Sequence, residues 1–247
     1  MKRNNKKEAQ GKKVVDIKHW AEGDRPRERL LEKGPETLSD AALLATLLGT
    51  GRQGKDAVAL AREMLSEFDG FKGLMCATRD DLIKIKGIGR ARVAQIMASM
   101  EIVKRQLRQP LTQMNVIENP DRLNDYLKTS MGHLHREEFR ILYLNPSRHL
   151  ISEEVLFKGA ADMSVVDPTR VLEAALRKKA SALILVHSHP TGLPLTSDVD
   201  IQLTKLLVKA CLTVDIPILD HVVIGSNSFW SMKRHYPQIF EGENDIA

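Results

Sequence analysis

Two histidines, two serines and two aspartates fall within fourteen positions in His187-Ser-His-Pro-Thr-Gly-Leu-Pro-Leu-Thr-Ser-Asp-Val-Asp200, directly after the apolar run Ser181-Ala-Leu-Ile-Leu-Val186. The run reads as a buried strand. Side chains two apart on a strand share a face, so His187 and His189 can present imidazoles to one point while Ser188 turns away. Pro190 to Pro194 reads as a loop, and Ser197 as the N-cap of a following helix, which sets Asp200 in its first turn, directed back toward the strand end. Two imidazoles and a carboxylate make a His₂Asp set for Zn²⁺. Three protein ligands leave the fourth position open to water, the arrangement of a catalytic rather than a structural site. A plainer reading uses the same residues: Ser197-Asp-Val-Asp200 has the capping-box form, in which Asp200 only satisfies a backbone donor. The His-x-His pair and the acid at this separation together favour the metal. Ser188, Thr191 and Thr196 are expected to be loop hydrogen-bonders.

The elements that must position these groups follow from periodicity. Glu138 to Leu144 alternates like a strand, Asn145-Pro-Ser-Arg is a turn, and His149 to Phe157 is the partner strand of a hairpin. Val171 to Lys179 and Val199 to Leu212 read as helices, and Ile216 to Gly225 as a further strand, so residues 120–247 form an α/β domain. Glu137 and Glu138 start the first strand, and alternation sends them to opposite faces, so only one can see the metal. Asp220 and His221 form another polar pair beside an apolar run; they either orient a metal-bound imidazole or make a structural hydrogen bond.

The first half differs. Pro26 to Lys33, a serine-capped segment from Thr37, and Lys55 to Phe68 all have helical spacing, with a glycine-rich break at Gly49 to Gly54. Residues 21–108 are thus expected to be all-helical, with 109–119 as linker. Around residues 79–106, a short helix, the turn Gly87-Ile-Gly89 and a longer helix resemble the helix-hairpin-helix motif, whose turn amides and helix N-terminus can face a phosphate. Lys84, Lys86, Arg90 and Arg92 would add non-specific DNA affinity; the bland alternative is a tight helix connection.

Charge needs dissection before it is read as affinity. The net +5 of the 247-residue chain equals that of residues 1–13 alone, and the basic, apolar-poor tail over residues 1–20 is expected to be disordered. Residues 79–108 again carry a net +5, so one basic segment remains in the body. The two cysteines, Cys76 and Cys211, match neither a disulfide framework nor a cysteine zinc site and fit a reducing cytoplasm. No apolar run has the length of a membrane span, and none reads as a signal peptide.

His187-Ser-His189, seven residues, Ser197, two residues, Asp200 resembles the JAMM signature of MPN-domain metallopeptidases, enzymes that cut isopeptide bonds of ubiquitin-like modifiers among others. Asp24-Arg-Pro-Arg-Glu-Arg-Leu-Leu-Glu-Lys-Gly-Pro-Glu, Leu38-Ser-Asp-Ala-Ala-Leu-Leu, Ile85-Lys-Gly-Ile-Gly and Leu219-Asp-His-Val-Val-Ile-Gly are similar to the bacterial RadC family. The resemblance implies an α/β MPN domain with a curved central sheet, preceded by a small helical helix-hairpin-helix domain. It implies zinc on His187, His189 and Asp200, Ser197 as oxyanion donor, and a strand glutamate as base, for which the family's spacing selects Glu137. The activity implied is hydrolysis of a peptide or isopeptide bond in a protein or peptide substrate. The alternative is a DNA-associated module, with a DNA-repair role, in which the metal domain is a scaffold or acts on something other than an amide. Two departures stand out. The family usually reads His-Asn-His-Pro-Ser-Gly, where this chain has His187-Ser-His-Pro-Thr-Gly192. Pro168-Thr-Arg170 replaces a Pro-Arg-Glu, which leaves Arg170 without a carried-over role.

Overall fold

The computed structural model describes residue 17 and residues 20–132, 134, 136–159, 166–189, 196–225 and 228–241. The basic segment 1–13, the loop 190–194 and with it Thr191 lie outside the described residues. The chain divides into two compact units, one ending at Ala98 and one beginning at Ser99.

The first unit is helical: α1 (Pro26–Lys33), α2 (Asp40–Leu48), α3 (Ala57–Glu67), α4 (Gly70–Leu74), α5 (Arg79–Lys84) and the start of α6 (Arg90–Arg108). Ser39 caps α2 by accepting from Ala42 N–H, and Asp56 caps α3 in the same way through Ala59. Val58, Ala61 and Met64 of α3 are buried at the spacing read from the sequence, with Leu60 beside them, and Leu44, Ala45 and Leu48 form the buried face of α2. The glycine-rich break closes as a tight loop in which Arg52 and Lys55 exchange backbone hydrogen bonds. Gly51 is required there, since a Cβ would lie 2.1 Å from the Lys55 carbonyl. Between α5 and α6 the chain turns through Gly87 at φ 96°. The Arg92 guanidinium donates to the carbonyls of Thr50, Gly51 and Gly87 and to the Thr50 hydroxyl, fastening the two loops together.

The boundary between units falls inside α6 rather than at residues 109–119. That segment, expected as a linker, carries Leu111 and Val116 into the core of the second unit, where these apolar side chains pack in one cluster with Leu123 and Leu127. There follow α7 (Pro120–Met131), β1 (Glu138–Leu144), β2 (Leu150–Lys158), α8 (Pro168–Arg177), β3 (Ala182–Ser188), α9 (Asp198–Leu212), β4 (Ile218–Ile224), β5 (Phe229–Ser231) and α10 (Met232–His235).

Among the described residues the strands form one mixed sheet in the order β2-β1-β3-β4-β5. β1 runs antiparallel to β2 and β3, while β3 and β4 are parallel and joined by the α9 crossover. Every residue of β1 and β3 is buried, which demands cover on both faces. On one face Phe139, Ile141, Leu183 and Leu185 pack with Val171 of α8 and Leu207 of α9. On the other, Leu142, Leu144 and Ile184 pack with Leu123 and Leu127 of α7. No helix of the described residues is long and apolar enough to cross a membrane.

Candidate metal centre

The groups singled out by their spacing gather where β1 and β3 meet the start of α9. His187, 1% exposed, sits near the end of β3 opposite Phe139 of β1. His189 follows it, and its N–H donates to the Ile224 carbonyl, prolonging the ladder to β4. The two imidazole centroids are 4.6 Å apart. Glu137, His187 and His189 each offer a ligand atom, all within 4.8 Å of one another. The adjacent acid points elsewhere: Glu138 is buried on the α7 side, its carboxylate bound by Arg140 and, at 3.3 Å, by Lys158. Alternation along β1 thus leaves Glu137 on the histidine side, with its Oε2 4.0 Å from His187 Nε2.

Asp200 is buried in the first turn of α9, and both sequence readings of it use the same carboxylate. Its Oδ2 accepts from the Ser197 N–H and hydroxyl, each at 2.7 Å, while Ser197 Oγ accepts from Asp200 N–H, so the capping box is complete. Its Oδ1 lies 3.0 Å from His187 Nδ1, and Oδ2 lies 3.9 Å from His189 Nε2. Burial alone would favour the neutral acid, but the hydrogen bonds from His187 and Ser197 outweigh it and hold the carboxyl well below the ordinary carboxylate range. An imidazole that donates from Nδ1 to a carboxylate keeps a lone pair on Nε2. The Nε2 of His187 is buried and has no hydrogen-bond partner among the described residues. A buried polar atom in that state calls for a partner, and a cation among Glu137, His187 and His189 would supply one, whereas the Asp200 carboxylate meets the same ring at Nδ1. This donor set fits zinc.

The other polar residues singled out in the sequence take the following places. Ser188 is not in the loop: its hydroxyl accepts from the Glu138 N–H across the strands at 3.0 Å. His221 is fully buried, with its ring centroid 6.4 Å from that of His187. Its Nδ1 contacts the Thr204 hydroxyl, which donates to the Asp200 carbonyl, each at 2.6 Å. Burial, aided by the neighbouring histidines, pushes the His221 pKa down to about 3, so the ring is neutral. Asp220 faces the opposite side of β4 and makes structural bonds, accepting from the Ser231 hydroxyl and the Lys233 N–H. Arg170 lies exposed in the first turn of α8.

A mixed five-stranded sheet flanked by helices, with this cluster at the ends of β1 and β3, is the architecture of a JAB/MPN-like domain. Residues 117–237 match the RadC-like JAB domain family and residues 17–94 the UPF0758 N-terminal family. Over 218 residues, 88% of this chain, it is 41% identical to a UPF0758 protein of Pseudomonas savastanoi pv. phaseolicola and to one of Pseudomonas syringae pv. tomato, spanning 97% of each. A UPF0758 protein of Shewanella baltica is 40% identical over 217 residues, covering 88% of this chain and 96% of its own. The chain belongs to the UPF0758 family of proteins with a RadC-like JAB domain.

Proposed function

We propose that the protein is a zinc-dependent hydrolase of JAMM type that cleaves a peptide or isopeptide bond, with His187, His189 and Asp200 as metal ligands and Glu137 as general base. The observation that carries this reading is the buried Nε2 of His187, without a hydrogen-bond partner among the described residues, with Glu137 4.0 Å away and His189 beside it. Zinc held there would supply a Lewis acid that polarises the scissile carbonyl and brings the pKa of water toward about 7. The protein's own groups do the rest. Asp200 fixes the His187 tautomer and, being ionised, offsets part of the cation's charge. Glu137 is partly exposed, so water reaches its carboxylate, which takes the proton and returns it to the leaving amine. The Ser197 hydroxyl, which donates to Asp200 Oδ2 here, would be the donor for an oxyanion formed at the scissile carbonyl.

Two measurements test this. Elemental analysis should find one zinc per chain in wild type and none in His187→Ala or His189→Ala; equal zinc in all three would sink the site. Mass-spectrometric profiling of cell protein incubated with wild type or Asp200→Ala should yield new termini with wild type alone.

A second proposal concerns the first unit. The left-handed Gly87 and the exposed Lys86 and Arg90 beside the start of α6 favour a helix-hairpin-helix that holds nucleic-acid backbone without reading sequence.

A further inference from the structure

We propose that Arg140 is a positioning residue: by clamping Glu138 on the far face of β1, it aims Glu137 at the histidine pair. The inference rests on the reading of Glu137 as the base.

Glu137 stands just before β1, where two hydrogen bonds tie down this end of the strand. Its carbonyl accepts from Gly159 N–H at 2.9 Å, and the next N–H, that of Glu138, is held by Ser188. The Glu138 side chain then fixes the strand's rotation. Its Oε1 receives both Nε and Nη2 of Arg140, whose Nη1 donates to Glu153 Oε2 of β2 at 3.1 Å. Tyr126 of α7 donates to the other Glu153 oxygen. Arg140 therefore joins β1 to β2, and through Glu153 to α7. Burial opposes its charge, but Glu153 and Glu138 more than compensate, and its pKa is raised.

Cohesion does not explain this arrangement. The next positions of β1 on the same face, Leu142 and Leu144, are apolar and pack against α7. Burying Glu138, at 4% exposure, and Arg140, at 9%, beside them costs desolvation that a pair of apolar side chains would avoid. What ions add over apolar groups is direction: the guanidinium, tied to a second strand, puts two nitrogens on one oxygen of Glu138 while Lys158 lies 3.3 Å from the other, which restricts how the carboxylate can turn. Were Glu138 able to swing out, the strand end could rotate, and Glu137 with it.

The test uses the full chain loaded with Co²⁺, whose visible absorption reports its coordination shell. Glu137→Gln should alter the wild-type bands, because a carboxylate beside the ion's open position shapes that shell. Arg140→Met should bind Co²⁺ with wild-type affinity yet show the bands of Glu137→Gln, whereas Arg140→Lys should recover part of the wild-type spectrum. If Arg140→Met fails to fold, the triple variant Glu138→Leu, Arg140→Met, Glu153→Leu leaves no uncompensated charge among these three side chains and should give the same altered spectrum. Wild-type bands in the methionine or triple variant would overturn the positioning role. Failure of the wild-type protein to bind Co²⁺, or wild-type bands in Glu137→Gln, would instead overturn the reading of the site.

Discussion

At the scale of single residues the centre is a matter of which atom each group has left to offer. Asp200 completes a capping box and hydrogen-bonds His187 with the same carboxylate, and its role as a metal ligand is a separate proposal. They separate in Asp200→Asn. The amide keeps part of the capping, itself worth about 0.5 to 2 kcal/mol, but loses the anion that helps neutralise Zn²⁺. Treated with chelator, the variant should unfold near the wild-type temperature, and on restoring zinc it should gain far less, because a ligand stabilises only the state that binds it. Equal gains in thermal unfolding would reduce Asp200 to a cap. His221 gives a pH signature. Its folded pKa of about 3 lies below the ordinary value of roughly 6.5. Its contribution is therefore complete above roughly pH 6.5 and falls as pH drops toward 3, by up to about 1.4 kcal/mol per unit. Denaturant unfolding of chelated protein should show this slope, and His221→Leu should flatten it. The histidine pair and its acid were legible because a two-residue strand spacing and a cap are local patterns. His221 was legible as one of a polar pair that could orient a metal-bound imidazole, but not its route through Thr204 to the Asp200 carbonyl, because Thr204 marks no motif.

At the scale of elements, legibility follows burial. β1 was legible at its true limits from alternation, and α9 and β3 to within two residues, β3 because a strand buried on both faces writes a continuous apolar run. The short edge strand β5 and the helix α7 were passed over. β5 is only three residues, too short to show alternation, and α7 lies where a linker reading had set the boundary. The glycine-rich break between α2 and α3 was legible as a break but not as a fastening. Its partner, Arg92, lies about forty residues away in sequence and looked like a phosphate contact. Inside the unit that guanidinium serves four acceptors. Arg92→Met should thus destabilise the helical unit by about 1 to 3 kcal/mol, seen as a lower midpoint in urea. An unchanged midpoint would mean that these bonds exchange with water at no cost, and would return Arg92 to the list of nucleic-acid contacts.

For the molecule as a whole, the net charge of +5 misleads unless it is divided along the chain. Residues 1–13 account for all of it, while residues 79–108 hold another +5 that acidic residues elsewhere cancel. Electrostatic affinity for a polyanion is set by local clusters within about a Debye length rather than by the sum. Lys84 is paired with Asp81 at the surface, at 3.4 Å, a contact too exposed to prevent it from turning to phosphate. If the turn before α6 holds DNA, duplexes of unrelated sequence should bind alike, and the affinity should drop steeply between about 50 and 200 mM salt. Deleting residues 1–13 should weaken binding and lower the salt slope, because the tail's cations release counterions wherever they touch. A residual component should survive the deletion and vanish when Lys86→Glu and Arg90→Glu are added, since both side chains flank the Gly87 turn. Fluorescence anisotropy on labelled duplex resolves the two contributions. Complete loss on removing the tail alone would make α5 and α6 a plain helical connection, and the basic segment a solvated face.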